Sequence, residues 1–90
     1  MIVKIAGIEF DRVDYDRDAD VVYLHVGEGS AVDWDESEEG HAIRYGADGS
    51  IVGITIVNAR RILEADGEIA ITLPRQRVVA TDLGSVLTPA

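Results

Sequence analysis

His41-Ala42-Ile43-Arg44-Tyr45-Gly46-Ala47-Asp48-Gly49-Ser50-Ile51-Val52-Gly53-Ile54-Thr55-Ile56-Val57 is the stretch that decides the fold. Two runs rich in β-branched and aromatic residues flank Asp48-Gly49, a pair suited to the positive φ angles of a tight hairpin turn. The runs are therefore predicted to pair antiparallel. A loop of even length puts Tyr45 opposite Val52, Ile43 opposite Ile54, His41 opposite Ile56 and Arg44 across from the bare backbone of Gly53. An odd loop would instead face Ile43 with Gly53. The even loop builds the better apolar face and is the register expected.

Working outward, Val21-Val22-Tyr23-Leu24-His25-Val26 reads as a strand closed by a hairpin turn at Gly27-Glu28-Gly29-Ser30. Ala31-Val32-Asp33-Trp34-Asp35 alternates strictly, with Val32 and Trp34 on one face and Asp33 and Asp35 on the other. Ile2 to Ile5 and Ile8 to Phe10 read as strands around Ala6-Gly7. A bulge near Asp11-Arg12 would explain the shifted phase of Val13 to Tyr15. Asn58 caps a short helix with an Ala59, Ile62, Leu63 stripe ending at Gly67. Glu68 to Leu73 is a last strand ended by Pro74. Both faces of 21–26 and 51–57 carry apolar side chains, so either the terminal elements or a second copy of the chain covers the second face. The expectation is a mainly β (β-rich α+β) fold, an antiparallel meander of five or six strands with one short helix. Residues 1–80 would form a single domain and 81–90 a loosely ordered tail.

The chain has 90 residues, 47% of them apolar and 28% charged, the balance of a soluble globular domain. A core this small leaves a thin stability margin, which favours a homodimer. With no cysteine, a disulfide scaffold, a thiolate zinc site and a thiol nucleophile are all excluded, and a reducing cytoplasm fits. No apolar run approaches the ~20 residues that span a bilayer. Acids outnumber bases 17 to 8, for a net charge of −9. Twelve of those acids lie in residues 9–39 beside only Arg12 and Arg17. Such a surface repels phosphate backbones and anionic lipid heads, so nucleic acid and membrane are not the expected partners.

Tyr15-Asp16-Arg17-Asp18-Ala19-Asp20 running into Val21 to Leu24, with Asp48-Gly49-Ser50-Ile51-Val52-Gly53-Ile54-Thr55-Ile56 further on, resembles the small prokaryotic family called domain of unknown function 2283. The resemblance runs from Val13 to Asn58 and implies a compact β-rich domain with no established activity. That family often carries acids where this chain has Arg44, Gly46 and Thr55, so no role of those acids carries over. The matching positions Tyr15, Asp16, Ala19, Asp20, Asp48, Gly49 and Gly53 read as fold-specifying turns.

Asp14, Asp16, Asp18 and Asp20 alternate like calcium-loop ligands, but Ala19 stands where that loop needs Gly and His25 where it needs a bidentate Glu. A solvated turn is the reading. His25, His41, Asp33 and Asp35 are the residue types of a two-His-one-carboxylate metal site, against the simpler reading of ordinary strand histidines. No serine sits in a Gly-x-Ser-x-Gly elbow and no phosphate loop is present, so no catalytic residue or cofactor is assigned and an enzyme is disfavoured. Trp34 stands among Asp33, Asp35, Glu36, Glu38 and Glu39. It is either a core tryptophan on a half-buried strand or an aromatic anchor in an acidic rim. The leading expectation is a homodimeric binding or regulatory module that recognises a basic protein, such as a basic toxin or nuclease. A metal-binding protein or metal-dependent hydrolase and a purely structural dimer are the alternatives.

Overall fold

The structure, a computed structural model, describes residues 3–73, 76–80 and 83–87, with the backbone alone for 76–79 and 85. Strands β1 (Val3–Ile5) and β2 (Ile8–Phe10) pair around Ala6 and Gly7, whose φ angles of 53° and 80° give the left-handed turn that suits a hairpin's twist. No bulge follows at Asp11-Arg12. The chain changes sheets there, and β3 (Arg12–Asp16) pairs with β4 (Val21–His25). The shifted phase has that cause: Phe10 enters the core from one sheet, Val13 and Tyr15 from another.

The main sheet has the order β3-β4-β7-β6-β5, where β5 is Asp33–Glu36, β6 Ala42–Tyr45 and β7 Ile51–Val57. Every pairing is antiparallel. Strand β4 lies beside β7, so Gly27-Glu28-Gly29-Ser30 is not a hairpin turn. It starts a crossing to the far edge, and β4 to β7 form a Greek key. The central hairpin departs from expectation in one respect. Gly49 N–H donates to Gly46 C=O at 3.0 Å and Gly46 N–H to Ser50 C=O at 2.8 Å, closing an odd loop of Ala47, Asp48 and Gly49. Only Gly49 takes positive φ, at 83°. A bulge after Arg44 absorbs Val52, so Tyr45 faces Ile51 and not Val52, while Ile43 still meets Ile54 and Arg44 still meets Gly53. The apolar face is kept by the bulge and not by loop parity.

Val22, Leu24, Ile43, Ile54 and Ile56 line the inner face and are at most 2% exposed. Burying five such side chains contributes on the order of 10 kcal/mol of gross hydrophobic stabilisation. Over them lie α1 (Ala59–Asp66), the hairpin of β8 (Ile69–Leu73) with β9 (Gln76–Ala80), the β1-β2 hairpin and α2 (Gly84–Leu87), all in one core cluster. Residues 83–87, predicted to belong to a loose tail, contribute Leu83 and Leu87 to that core; Pro74, 81–82 and 88–90 lie outside the described residues. The terminal elements thus cover the inner face, and the outer face stays open, with Tyr23 42% exposed. The fold is mainly β, as expected, and no described helix is long and apolar enough to cross a membrane.

Candidate functional site

The two acidic stretches are placed very differently. Asp14 and Asp16 are extended on exposed β3, so the predicted turn is confined to residues 17–20. Asp16 Oδ1 accepts the amides of Asp18 and Ala19 at 3.1 Å each, closing that turn. Asp20, at φ 57°, accepts the Arg60 amide at 2.8 Å, the Arg61 amide at 3.2 Å and the Tyr15 hydroxyl at 2.8 Å, and its carbonyl accepts the Ala59 amide. Asn58 occupies the N-cap position of α1 but makes no side-chain cap bond. Asp20, remote in sequence, supplies the cap that Asn58 was expected to provide. Burial opposes its charge, but the two amides and the tyrosine outweigh it and hold its pKa below the ordinary range. A carboxylate there also offsets the unfavourable placement of Arg60 and Arg61 at the helix's positive end.

Trp34 is not a core residue. It is 64% exposed and Val32 68%, because β5 is the sheet's outermost strand and is exposed at all four of its residues. The alternation of Val32 and Trp34 shows which residues share a face, not whether that face is covered. The amides of Trp34 and Glu36 point to the free edge, where each is taken at 2.9 Å by the carboxylate of the residue before it, Asp33 or Asp35. Those carboxylates occupy the donors that an added strand would need. The edge is therefore blunted against strand addition.

After β5 the chain turns through Ser37, Glu38, Glu39 and Gly40. His41 C=O accepts the Ser37 amide at 2.7 Å, Ser37 Oγ accepts the His41 amide at 3.0 Å, and Gly40 closes the turn at φ 92°. Glu39 is directed to β8, accepting the Thr72 amide at 2.8 Å and the Thr72 hydroxyl. Burial opposes its charge, but Thr72, the residue's own amide and the Ser37 hydroxyl bring its pKa down to about 2. His41 is 1% exposed, and its Nδ1 accepts the Val57 amide at 3.2 Å. Burial pushes its pKa down, against the pull of the Glu39 charge, so the ring is neutral with its proton on Nε2. These two residues, with Ile62, Asp66, Glu68 and Ala70, line a cavity of about 420 Å³ between the turn, α1 and β8. Another, of about 170 Å³, is bordered by Asp35, Glu36, Glu38 and Thr72. Asp66, Glu68 and Thr72 were missed by sequence reasoning. They belong to elements that meet the turn only in the folded chain, and no local spacing points to them.

His25 and His41 lie on opposite faces of the sheet: His25 is level with Gly53 and Arg44 on the open face, and His41 is in the core. They do not converge with Asp33 and Asp35, and among the described residues no three His, Asp or Glu side chains assemble as a metal group. On the open face, Arg44 bonds to Thr55 and lies over Gly53, where a Cβ would meet the Leu24 carbonyl at 3.0 Å. The arginine stem there covers bare backbone.

The sequence model of a family described as protein of unknown function (DUF2283) matches residues 12–60. No curated protein and no solved structure matches the chain. The matched span starts with β3, includes the whole five-stranded sheet and ends at Arg60, whose amide Asp20 holds. With more than half of its length matched, the chain belongs to this DUF2283 family.

Proposed function

We propose that the protein is a recognition module that docks a basic protein partner through β5 and the turn after it. The observation that carries this reading is Trp34, 64% exposed on the outermost strand, with exposed Val32 and the exposed acids Asp33, Asp35, Glu36 and Glu38 on either side of it in the chain. A large aromatic side chain left in water has the make-up of an interface anchor, and the acids along this strand and turn, which outnumber the facing Arg44, steer a basic partner. A basic toxin or nuclease is the kind of protein that fits, and the cysteine-free chain suits a cytoplasmic setting. The homodimer belongs to the same proposal, on the ground that a core this small leaves a thin stability margin.

Trp34 is the only tryptophan, so its fluorescence reports on the anchor directly. Titration with a lysine hexapeptide is expected to blue-shift the emission saturably, with affinity falling steeply between low and physiological salt. Emission unchanged at saturating peptide, or binding indifferent to salt, contradicts the proposal.

A further inference from the structure

The five-stranded sheet ends in two unlike edges. At β5 the carboxylates of Asp33 and Asp35 occupy the outward amides, whereas β3 pairs with β4 alone. Val26 donates to the Val52 carbonyl of β7 at 2.9 Å. By the alternation of an antiparallel ladder, Val22 and Leu24 then also bond to β7, while Val21, Tyr23 and His25 bond to Asp16, Asp14 and Arg12 of β3. The amides and carbonyls of Val13 and Tyr15 therefore point away from β4, and among the described residues no other group takes them. The strand has no proline and no bulge, and Asp16 Oδ1 accepts the turn amides of Asp18 and Ala19, not an edge amide.

We infer that two copies of the chain join through this edge, β3 against β3 about a two-fold axis normal to the sheet, an inference that rests on the homodimer reading and names its interface. The charges along the strand choose this occupant. In Arg12-Val13-Asp14-Tyr15-Asp16 the one base stands at the start and an acid at the end. Antiparallel self-pairing centred on Asp14 therefore sets each Arg12 against Asp16 of the second copy, on the exposed face, and each Val13 against Tyr15, on the inner one. Val13 and Tyr15 are then the hydrogen-bonded pairs, so their outward amides and carbonyls satisfy one another. Arg12 rests on the Gly27 carbonyl in the single chain, and its guanidinium keeps further N–H groups for the acid across the axis. Asp14 meets its own copy at the axis, an unfavourable contact that gives this interface a signature. The pairing joins two five-stranded sheets into one and leaves the Trp34 edge of each copy at its far ends, open to a basic partner.

The test is sedimentation equilibrium of the full-length protein over a range of concentrations at physiological salt, with amide hydrogen exchange followed by NMR. One short strand pair makes a small interface, so a reversible dimer is expected. Protection of the Val13 and Tyr15 amides should rise with concentration. Asp14→Asn should tighten the dimer by about threefold and Arg12→Glu should weaken it by about tenfold, both at exposed positions where folding is spared. Asp66→Asn makes the same change of charge as Asp14→Asn at an exposed position of α1, and should leave the dimer within about 1.5-fold.

Failure of this inference and failure of the reading beneath it give different results. A protein that stays monomeric at every concentration removes the homodimer and this interface with it. A dimer in which Val13 and Tyr15 exchange as freely as in the monomer, or which responds equally to Asp14→Asn and Asp66→Asn, keeps the homodimer and overturns β3 as its seam.

Discussion

Asp14 to Asp20 and Asp33 to Glu39 have nearly the same composition and opposite uses. In the first stretch Asp16 and Asp20 are absorbed by folding: Asp16 closes a turn, and Asp20 holds Tyr15 and the first amides of α1. In the second, Asp33 and Asp35 reach only the next residue's amide, Glu36 and Glu38 face solvent, and Glu39 alone is tied to another element. Charge alone does not separate a structural acid from a recognition acid. What separates them is whether a distant backbone donor is waiting for the carboxylate.

This contrast is open to direct attack. Asp20→Ala removes the cap of α1 and places alanine at φ 57°, for an expected loss of about 2–3 kcal/mol in urea denaturation. A loss below about 0.5 kcal/mol would place Asp20 with the solvent-facing acids. Because its folded pKa is lowered, its stabilisation is complete above the ordinary value of 3.8 and disappears as pH falls through the lower folded value.

Thr72→Val tests the one acid of the second stretch that behaves like the first. Loss of the hydroxyl should raise the Glu39 pKa from about 2 toward 4.5, read by carboxyl NMR, and lower stability at neutral pH by about 1 kcal/mol. The stability gap between variant and parent should be full above pH 4.5 and narrow as pH falls toward 2. A gap that widens in acid would contradict the assignment. His41 acts in the same direction at higher pH: buried neutral, with a lowered pKa, it disfavours folding progressively below its ordinary value of 6.5.

The smallest effect belongs to the edge. The triple variant Asp33→Asn, Asp35→Asn, Glu36→Gln should change stability by no more than about 0.5 kcal/mol, because asparagine can still accept the neighbouring amide and like-charge repulsion falls. A drop comparable to that of Asp20→Ala would show these acids to be structural.

Much of the fold was legible because period-two patterning reports faces directly. Val22 and Leu24, with Ile54 and Ile56, declare the inner face of β4 and β7, and the Asp48-Gly49 pair places the turn. Strand order was less legible, since nothing in Gly27-Glu28-Gly29-Ser30 distinguishes a turn back from a crossing to the far edge. Asp20 could be seen as turn chemistry, but its true partner is the start of a helix 40 residues away. The Trp34 rim was legible as residues and not as exposure. Half of the cavity was out of reach, because Asp66 and Glu68 join Glu39 and His41 only when α1 and β8 pack beside the turn.

The central claim is that only one of the two acidic stretches is a recognition surface. Backbone amide NMR of the full chain, titrated with the lysine hexapeptide at physiological salt, tests it most directly. The account predicts shifts at Val32 to His41, with Asp14 to Asp20 unmoved. Shifts shared equally by both stretches would show charge without a site, and would contradict it.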